Sequence, residues 1–270
     1  MMYQHRPGPF LLCSALLLST LPLTAEENDA PALAPVNEAR TASVQNVKLN
    51  YGRRVLYIGD SLTVGPFGEA LEWSLLSGLG RDNVYVYGSC GSSVESWLAA
   101  EPDFITPCGY RETTPKTRTI EDYHGRQKPQ RVRTPKVEKL ISRIEPEIVI
   151  VQLGTNQYDT IARLGSSSLA SQADIMDRFG KAILQTTGGV HTVVWITPPD
   201  CAKFPKWITN AVEDLIEKTC SRYRFEVIDS RRYTHYVNGV TGGDGIHYST
   251  EPAYQWATRV IGKLNGILPR

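Results

Sequence analysis

The sequence predicts an α/β fold in which a parallel sheet carries helices on both faces. Short apolar runs of strand length alternate with segments of helical period, and most connections between them are short. In addition, polar turns rich in glycine follow several of these runs, which is where parallel sheets form their sites.

Val55-Leu56-Tyr57-Ile58 is apolar and partly β-branched and runs into Gly59-Asp60-Ser61, as a buried parallel strand does. Phe67, Ala70, Leu71 and Leu75 then recur at helical spacing, with Gly78 and Gly80 suited to a helix end. Residues 84–87 form a second strand, followed by a Gly/Ser-rich turn and a short helix around 94–99. A helix is expected over 135–144 and a strongly apolar strand over 147–153. Residues 173–184 read as a helix, 192–196 as a strand, 206–220 as a helix, 225–228 as a fifth strand and 254–264 as a closing helix. There is no internal repeat.

One stretch breaks this rhythm. Residues 101–134 show no clear period, contain four prolines and are far longer than a usual connection, so they read as an insertion. Seven Lys and Arg stand there against five Asp and Glu, with Tyr110 and Tyr123 interleaved. A solvated surface excursion is one reading. The other is a wall or lid that holds an anionic or sugar-rich substrate, which makes Trp97, Tyr110 and Arg111 substrate-binding candidates.

The 270 residues suit one domain over about 51–270, after a leader and a lead-in. His5 and Arg6 precede an apolar run from Phe10 to Leu23, and Ala25 follows, the pattern of a signal peptide over 1–25. The run is too short and interrupted for a comfortable membrane span; an uncleaved anchor is the alternative. Residues 26–50, rich in Ala, Pro, Glu and Asn, read as a flexible linker. A periplasmic or secreted location is therefore expected, with no stable membrane insertion after cleavage. A net charge of +1 gives no reason to expect nucleic acid as a partner.

Beyond the leader stand four cysteines, Cys90, Cys108, Cys201 and Cys220, an even number in an exported chain. Of three possible connectivities the local one is favoured, Cys90–Cys108 and Cys201–Cys220. Each closes a loop of roughly 20 residues, a closure worth about 3 kcal/mol. The spacings do not fit a structural zinc site, and no metal is expected.

The chemistry lies in the turns. Ser61, between a strand and a helix, is a candidate nucleophile whose neighbouring helix amides could serve an oxyanion; a helix cap is the competing reading. A serine hydroxyl needs a base, and His247 is the best of five histidines. Asp244 lies three residues before it across Gly245, so its carboxylate can fold back onto the imidazole. Asn156, after Gly154-Thr155 at a strand end, could offer an amide to the same oxyanion, or cap its own turn. Gly91 could offer a backbone amide where a side chain would obstruct substrate.

In these blocks the chain resembles the SGNH (GDSL-type) hydrolase superfamily over about residues 53–264. Gly59-Asp60-Ser61-Leu62 matches the nucleophile block, Gly91 the glycine block, Gly154-Thr155-Asn156 the asparagine block, and Asp244-x-x-His247 the last. Gly88 is a rival for the glycine, with Tyr87 in place of the usual preceding asparagine, and Gln157 replaces an acidic residue that often follows Asn156. The resemblance implies a three-layer α/β/α flavodoxin-like fold with five parallel strands in the order 2-1-3-4-5. It also implies acyl transfer without metal or cofactor, with Ser61, Asp244 and His247 catalytic and Ser61, Gly91 and Asn156 lining an oxyanion hole. The expectation is an exported serine esterase that removes O-acetyl groups from a cell-envelope or other polysaccharide. The rivals are an O-acyltransferase or a lipase/thioesterase on the same machinery, and a non-catalytic carbohydrate-binding protein with a vestigial site.

Overall fold

Every second residue of the central strands faces the same side of the sheet, and both sides are apolar, so both must be covered. The structure, a computed structural model, describes residues 52–122, 131–186 and 190–268. The expected leader and linker lie outside the described residues, as do residues 123–130 of the insertion.

In chain order, β1 (Val55–Gly59) leads into the single turn α1 (Ser61–Val64), α2 (Pro66–Leu79), β2 (Val84–Ser89) and a 3-10 turn (Val94–Trp97). A hairpin follows, β3 (Gly109–Thr113) and β4 (Arg118–Asp122). Then come α3 (Val137–Ile144), β5 (Ile148–Gln152), α4 (Gln157–Leu164) and α5 (Leu169–Gln185). The chain closes with β6 (Thr192–Ile196), α6 (Lys206–Tyr223), β7 (Glu226–Ile228) and α7 (Thr250–Ile267).

The sheet order is β4-β3-β2-β1-β5-β6-β7. Its parallel part, β2-β1-β5-β6-β7, has the expected order 2-1-3-4-5, in register from Val55 opposite Val84 on one side and Ile148 on the other. Val55, Tyr57, Ile148, Ile150, Val194 and Ile196 pack one face against α2 and α7, where Phe67 stacks on Trp256 with ring centroids 3.5 Å apart. Leu56, Ile58, Val149, Val151 and Trp195 pack the other face against α3, α4, α5 and α6. Three layers result, with the open carboxyl ends of the parallel strands along one edge.

The sheet has seven strands rather than five, because part of the insertion is not a loop. Residues 109–122 form an antiparallel hairpin that extends the sheet beyond β2. Its turn closes where Thr114 Oγ1 accepts from the amides of Lys116 and Thr117. The hairpin is docked by charge. Glu72 on α2, fully buried, accepts from Arg111 Nη1 at 2.5 Å, Thr113 Oγ1 at 2.6 Å and Arg118 Nε at 2.9 Å. An edge strand with little to bury shows no alternation, which is why this segment is silent in the sequence.

One of the two expected disulfides forms. Cys90, just after β2, is bonded to Cys108, just before β3, with Cα atoms 5.4 Å apart. Cys201 and Cys220 are buried and unpaired, a correction to the local pairing. The segment between them is no flexible loop: α6 climbs about 20 Å from Lys206 to Cys220, while a disulfide needs Cα atoms within about 7 Å.

Candidate active site

The turn after β1 is built so that the serine is free. Asp60, not Ser61, caps α1: its Oδ1 accepts from the Leu62 amide at 3.0 Å. Ser61 therefore does not spend its hydroxyl on a cap. Gly65-Pro66 then stops α1 after one turn and starts α2, with proline at its first position.

Ser61 Oγ lies 2.8 Å from His247 Nε2, and His247 Nδ1 lies 2.5 Å from Asp244 Oδ2. Residues 186 positions apart thus meet at the carboxyl edge of the sheet. Asp244 Oδ1 also accepts the amides of Ile246 at 2.9 Å and His247 at 2.8 Å, which coils the Asp-x-x-His segment around its own carboxylate. Gly245 makes that coil possible. Its φ is +85°, and a Cβ there would lie 2.9 Å from the Lys203 amide nitrogen.

Asn156 leads α4 but makes no capping hydrogen bond to it. Its Nδ2 instead donates to Ser92 O at 2.8 Å, leaving the second N–H of that amide for an incoming oxyanion. This bond ties Asn156 to the turn that holds Gly91, where φ is +81°. Since β1 and β2 are in register at Gly59 and Gly88, that turn adjoins the one that carries Ser61.

Three sequence candidates do other work. Trp97 is wholly buried and its indole N–H donates to Ser92 Oγ at 3.0 Å. Tyr110 is buried, with its hydroxyl donating to Glu112 at 3.0 Å. Arg111 is buried on Glu72 and donates to Val64 O at 2.9 Å. None is placed to touch substrate, a correction in each case. Of the described residues read as a binding surface, Tyr110 and Arg111 serve to fold the hairpin. Arg118 shares Glu72, and Arg133 pairs with Asp103.

Tyr236 is a residue that the sequence does not point to. Its hydroxyl accepts from the Gly245 amide at 3.0 Å and donates to His247 O at 3.3 Å, bracing both sides of the histidine turn. Nothing local marks it, because both bonds arise only when the chain has folded back. Tyr236→Phe is expected to lower kcat about tenfold with KM nearly unchanged, the cost of one or two hydrogen bonds that orient the base. Steady-state kinetics beside a melting curve checks this; a fall in Tm with kcat intact would make the hydroxyl purely structural.

Asp60 lies fully buried beside the nucleophile, and its Oδ2 has no hydrogen-bond partner. Burial pushes its carboxyl up to about 6, although the Leu62 amide, nearby Thr155 and His247 all pull it down. Thr155 lies close enough to act on it without a hydrogen bond of normal geometry. The folded state holds this proton more tightly than the unfolded chain between pH 3.8 and about 6, so stability falls as pH rises through that window. Asp60→Asn keeps an oxygen for Leu62. It is expected to match wild type near pH 4 and exceed it by roughly 3 kcal/mol at neutral pH. Urea midpoints across pH 4–7 test this; a constant gap contradicts it.

Beside the triad opens a cleft of about 500 Å³, lined by Ser61, His247, Val64, Gly65, Ile120 and the Cys90–Cys108 disulfide among others. Among the described residues no group of three or more His, Cys, Asp or Glu is placed to hold a metal ion.

Ser61, His247 and Asp244 thus meet over a parallel core of order 2-1-3-4-5, and the chain has the fold of the SGNH/GDSL-type hydrolases. No family model and no curated protein sequence matches it. Solved structures do. LAE5, an alpha/beta hydrolase enzyme from the metagenome of Lake Arreo, Spain, is 14% identical with a TM-score of 0.56, covering 83% of this chain and 100% of its own. A variant of Axe2, an acetyl xylan esterase from Geobacillus stearothermophilus, is 13% identical with a TM-score of 0.52, covering 82% and 98%. An aryl esterase from M. smegmatis is 16% identical with a TM-score of 0.51, covering 80% and 100%. At such identities the likeness is one of fold.

Proposed function

We propose that this chain is a serine esterase that works through an acyl-enzyme, and that it removes O-acetyl groups from carbohydrate after export. The observation that carries the esterase reading is the unbroken chain from Ser61 Oγ through both imidazole nitrogens to Asp244, at 2.8 and 2.5 Å. Ser61 Oγ attacks the ester carbonyl as its proton passes to His247 Nε2, and Asp244 balances the imidazolium. The oxyanion is held by the Asn156 amide and by backbone N–H groups of the Ser61 and Gly91 turns. The alcohol leaves with the proton from His247, and water resolves the acyl-enzyme by the same route.

The finer reading has its own supports. One structural neighbour is an acetyl xylan esterase, and the triad is half-exposed, open to a group carried on a large polymer. Export is supported by the leader pattern over residues 1–25 and by the Cys90–Cys108 disulfide. An acyl chain lodged against the apolar wall of the cleft would give a second reading, an esterase of longer acyl chains.

A panel of acetylated glycans and p-nitrophenyl esters, run on wild type and Ser61→Ala, separates these readings. Release of acetate that depends on Ser61 is the expected result. Hydrolysis of octanoate esters without acetate release would select the second reading. No Ser61-dependent hydrolysis of any ester would end the esterase assignment. Fractionation of the producing cells with N-terminal sequencing of the chain tests export.

A further inference from the structure

We propose that the β3–β4 hairpin builds the pocket for the alcohol half of the ester, with Ile120 as the residue that selects alcohols presenting an apolar face. The inference rests on the esterase reading above and names the group that fills the cleft.

The cleft beside the triad is walled by Val64, Ile120 and the Cys90–Cys108 disulfide, an apolar surface facing the reacting groups, with Glu121 beside Ile120 as the charged member of the wall. Its volume of about 500 Å³ falls in the range of sites that bury an entire small molecule, so it holds far more than an acetyl group. Which half of the ester enters is decided by the proton. When the acyl-enzyme forms, the Ser61 Oγ–carbon bond is made, the carbon–oxygen bond to the alcohol breaks, and the proton on His247 Nε2 passes to the departing oxygen. That oxygen must therefore come within hydrogen-bond reach of His247. His247 borders the cleft, so the group attached to the oxygen extends into it.

Strand register places Ile120 in this wall. It stands opposite Arg111 and so shares that residue's face of the sheet, and Arg111 donates to Val64 O at the end of the nucleophile turn. Ile120 is 44% exposed, an apolar side chain that the core leaves uncovered. The same hairpin that lengthens the sheet thus reaches the reacting groups.

The test compares wild type, Ile120→Ala and Ile120→Trp on two series. One holds the acyl group constant with ethyl, p-nitrophenyl and 2-naphthyl acetates; the other holds the alcohol constant with p-nitrophenyl esters from acetate to octanoate. Ile120→Ala is expected to lower kcat/KM for 2-naphthyl acetate about tenfold relative to ethyl acetate. Ile120→Trp should exclude the naphthyl ester and spare the ethyl ester. The acyl-length profile should keep its shape in both. Deacylation, which follows departure of the alcohol, should keep its rate. Ile120→Thr retains β-branching and takes the place of the alanine variant should that variant fail to fold. If the variants reshape the acyl-length series and leave the alcohol series parallel, or leave both parallel, the assignment is overturned. A wild type without Ser61-dependent hydrolysis overturns the esterase reading itself, an outcome distinct from either.

Discussion

Asp244→Asn is expected to lower kcat roughly a thousand- to ten-thousand-fold, with KM changed little. The side chain keeps its size, so the loss is chemical. An amide cannot balance the imidazolium formed during attack. Where its NH2 faces Nδ1, the ring takes the tautomer that carries hydrogen on Nε2, and Nε2 then cannot accept the serine proton. Burial raises the Asp244 carboxyl, but hydrogen bonds from the His247 ring and the amides of His247 and Ile246 outweigh it and hold the group at about 2. Its contribution to stability is therefore complete above pH 3.8 and lost as pH falls from there through about 2. Two results follow from one variant. Turnover collapses across pH 5–9, and the acid limb of the stability curve flattens between pH 4 and 2. A loss of less than tenfold in kcat would remove Asp244 from the proton relay.

Arg111→Met is expected to destabilise the fold strongly. Arg111 and Glu72 are both buried, so removing the cation strands a carboxylate that retains only Thr113 and the more exposed Arg118. Breaking such a pair costs about 3–5 kcal/mol, which for a domain of this size lowers Tm by roughly 6–20 °C. Val64 O loses its donors in the same step, so the nucleophile turn loosens and activity falls too. Adding Glu72→Gln should restore much of the stability, because no unpaired charge then remains. Burial raises the Glu72 carboxyl, but hydrogen bonds from Arg118 and Thr113 and the charges of Arg111 and Arg118 reverse this, leaving it below its usual 4.5. The cluster therefore stabilises above pH 4.5 and fails as pH drops below the lowered value. Thermal melts of the single and double variants at pH 7 decide the matter. Equal Tm in Arg111→Met and the double variant would show that the charge was never the issue.

The parallel core was legible because it is written locally. Val55–Ile58 and residues 148–152 are buried on both faces, so they read as continuous apolar runs, and the helices between them repeat at their own period. The site was legible because its residues sit in turns whose composition is restricted: Asp60 to cap, Gly245 to allow a positive φ, Pro66 to open a helix. The hairpin was not, since β4 lies at an edge with Arg118 to Ile120 exposed and carries no alternation. Trp97, Tyr110 and Arg111 were misread because an aromatic or basic side chain looks the same in a sequence whether it meets substrate or its own core.

Local patterning alone was enough to settle the α/β class, the five parallel strands and most of the helices between them, and to single out the residue types of the proposed acyl transfer. Folding alone decided that Cys201 and Cys220 stay apart, that Arg111 answers Glu72, and that Tyr236 braces the histidine turn. The division has one physical cause. Backbone preferences and apolar periodicity act between near neighbours in the chain, whereas ion pairs, disulfides and the walls of a cleft depend on distances that exist only after distant segments have packed.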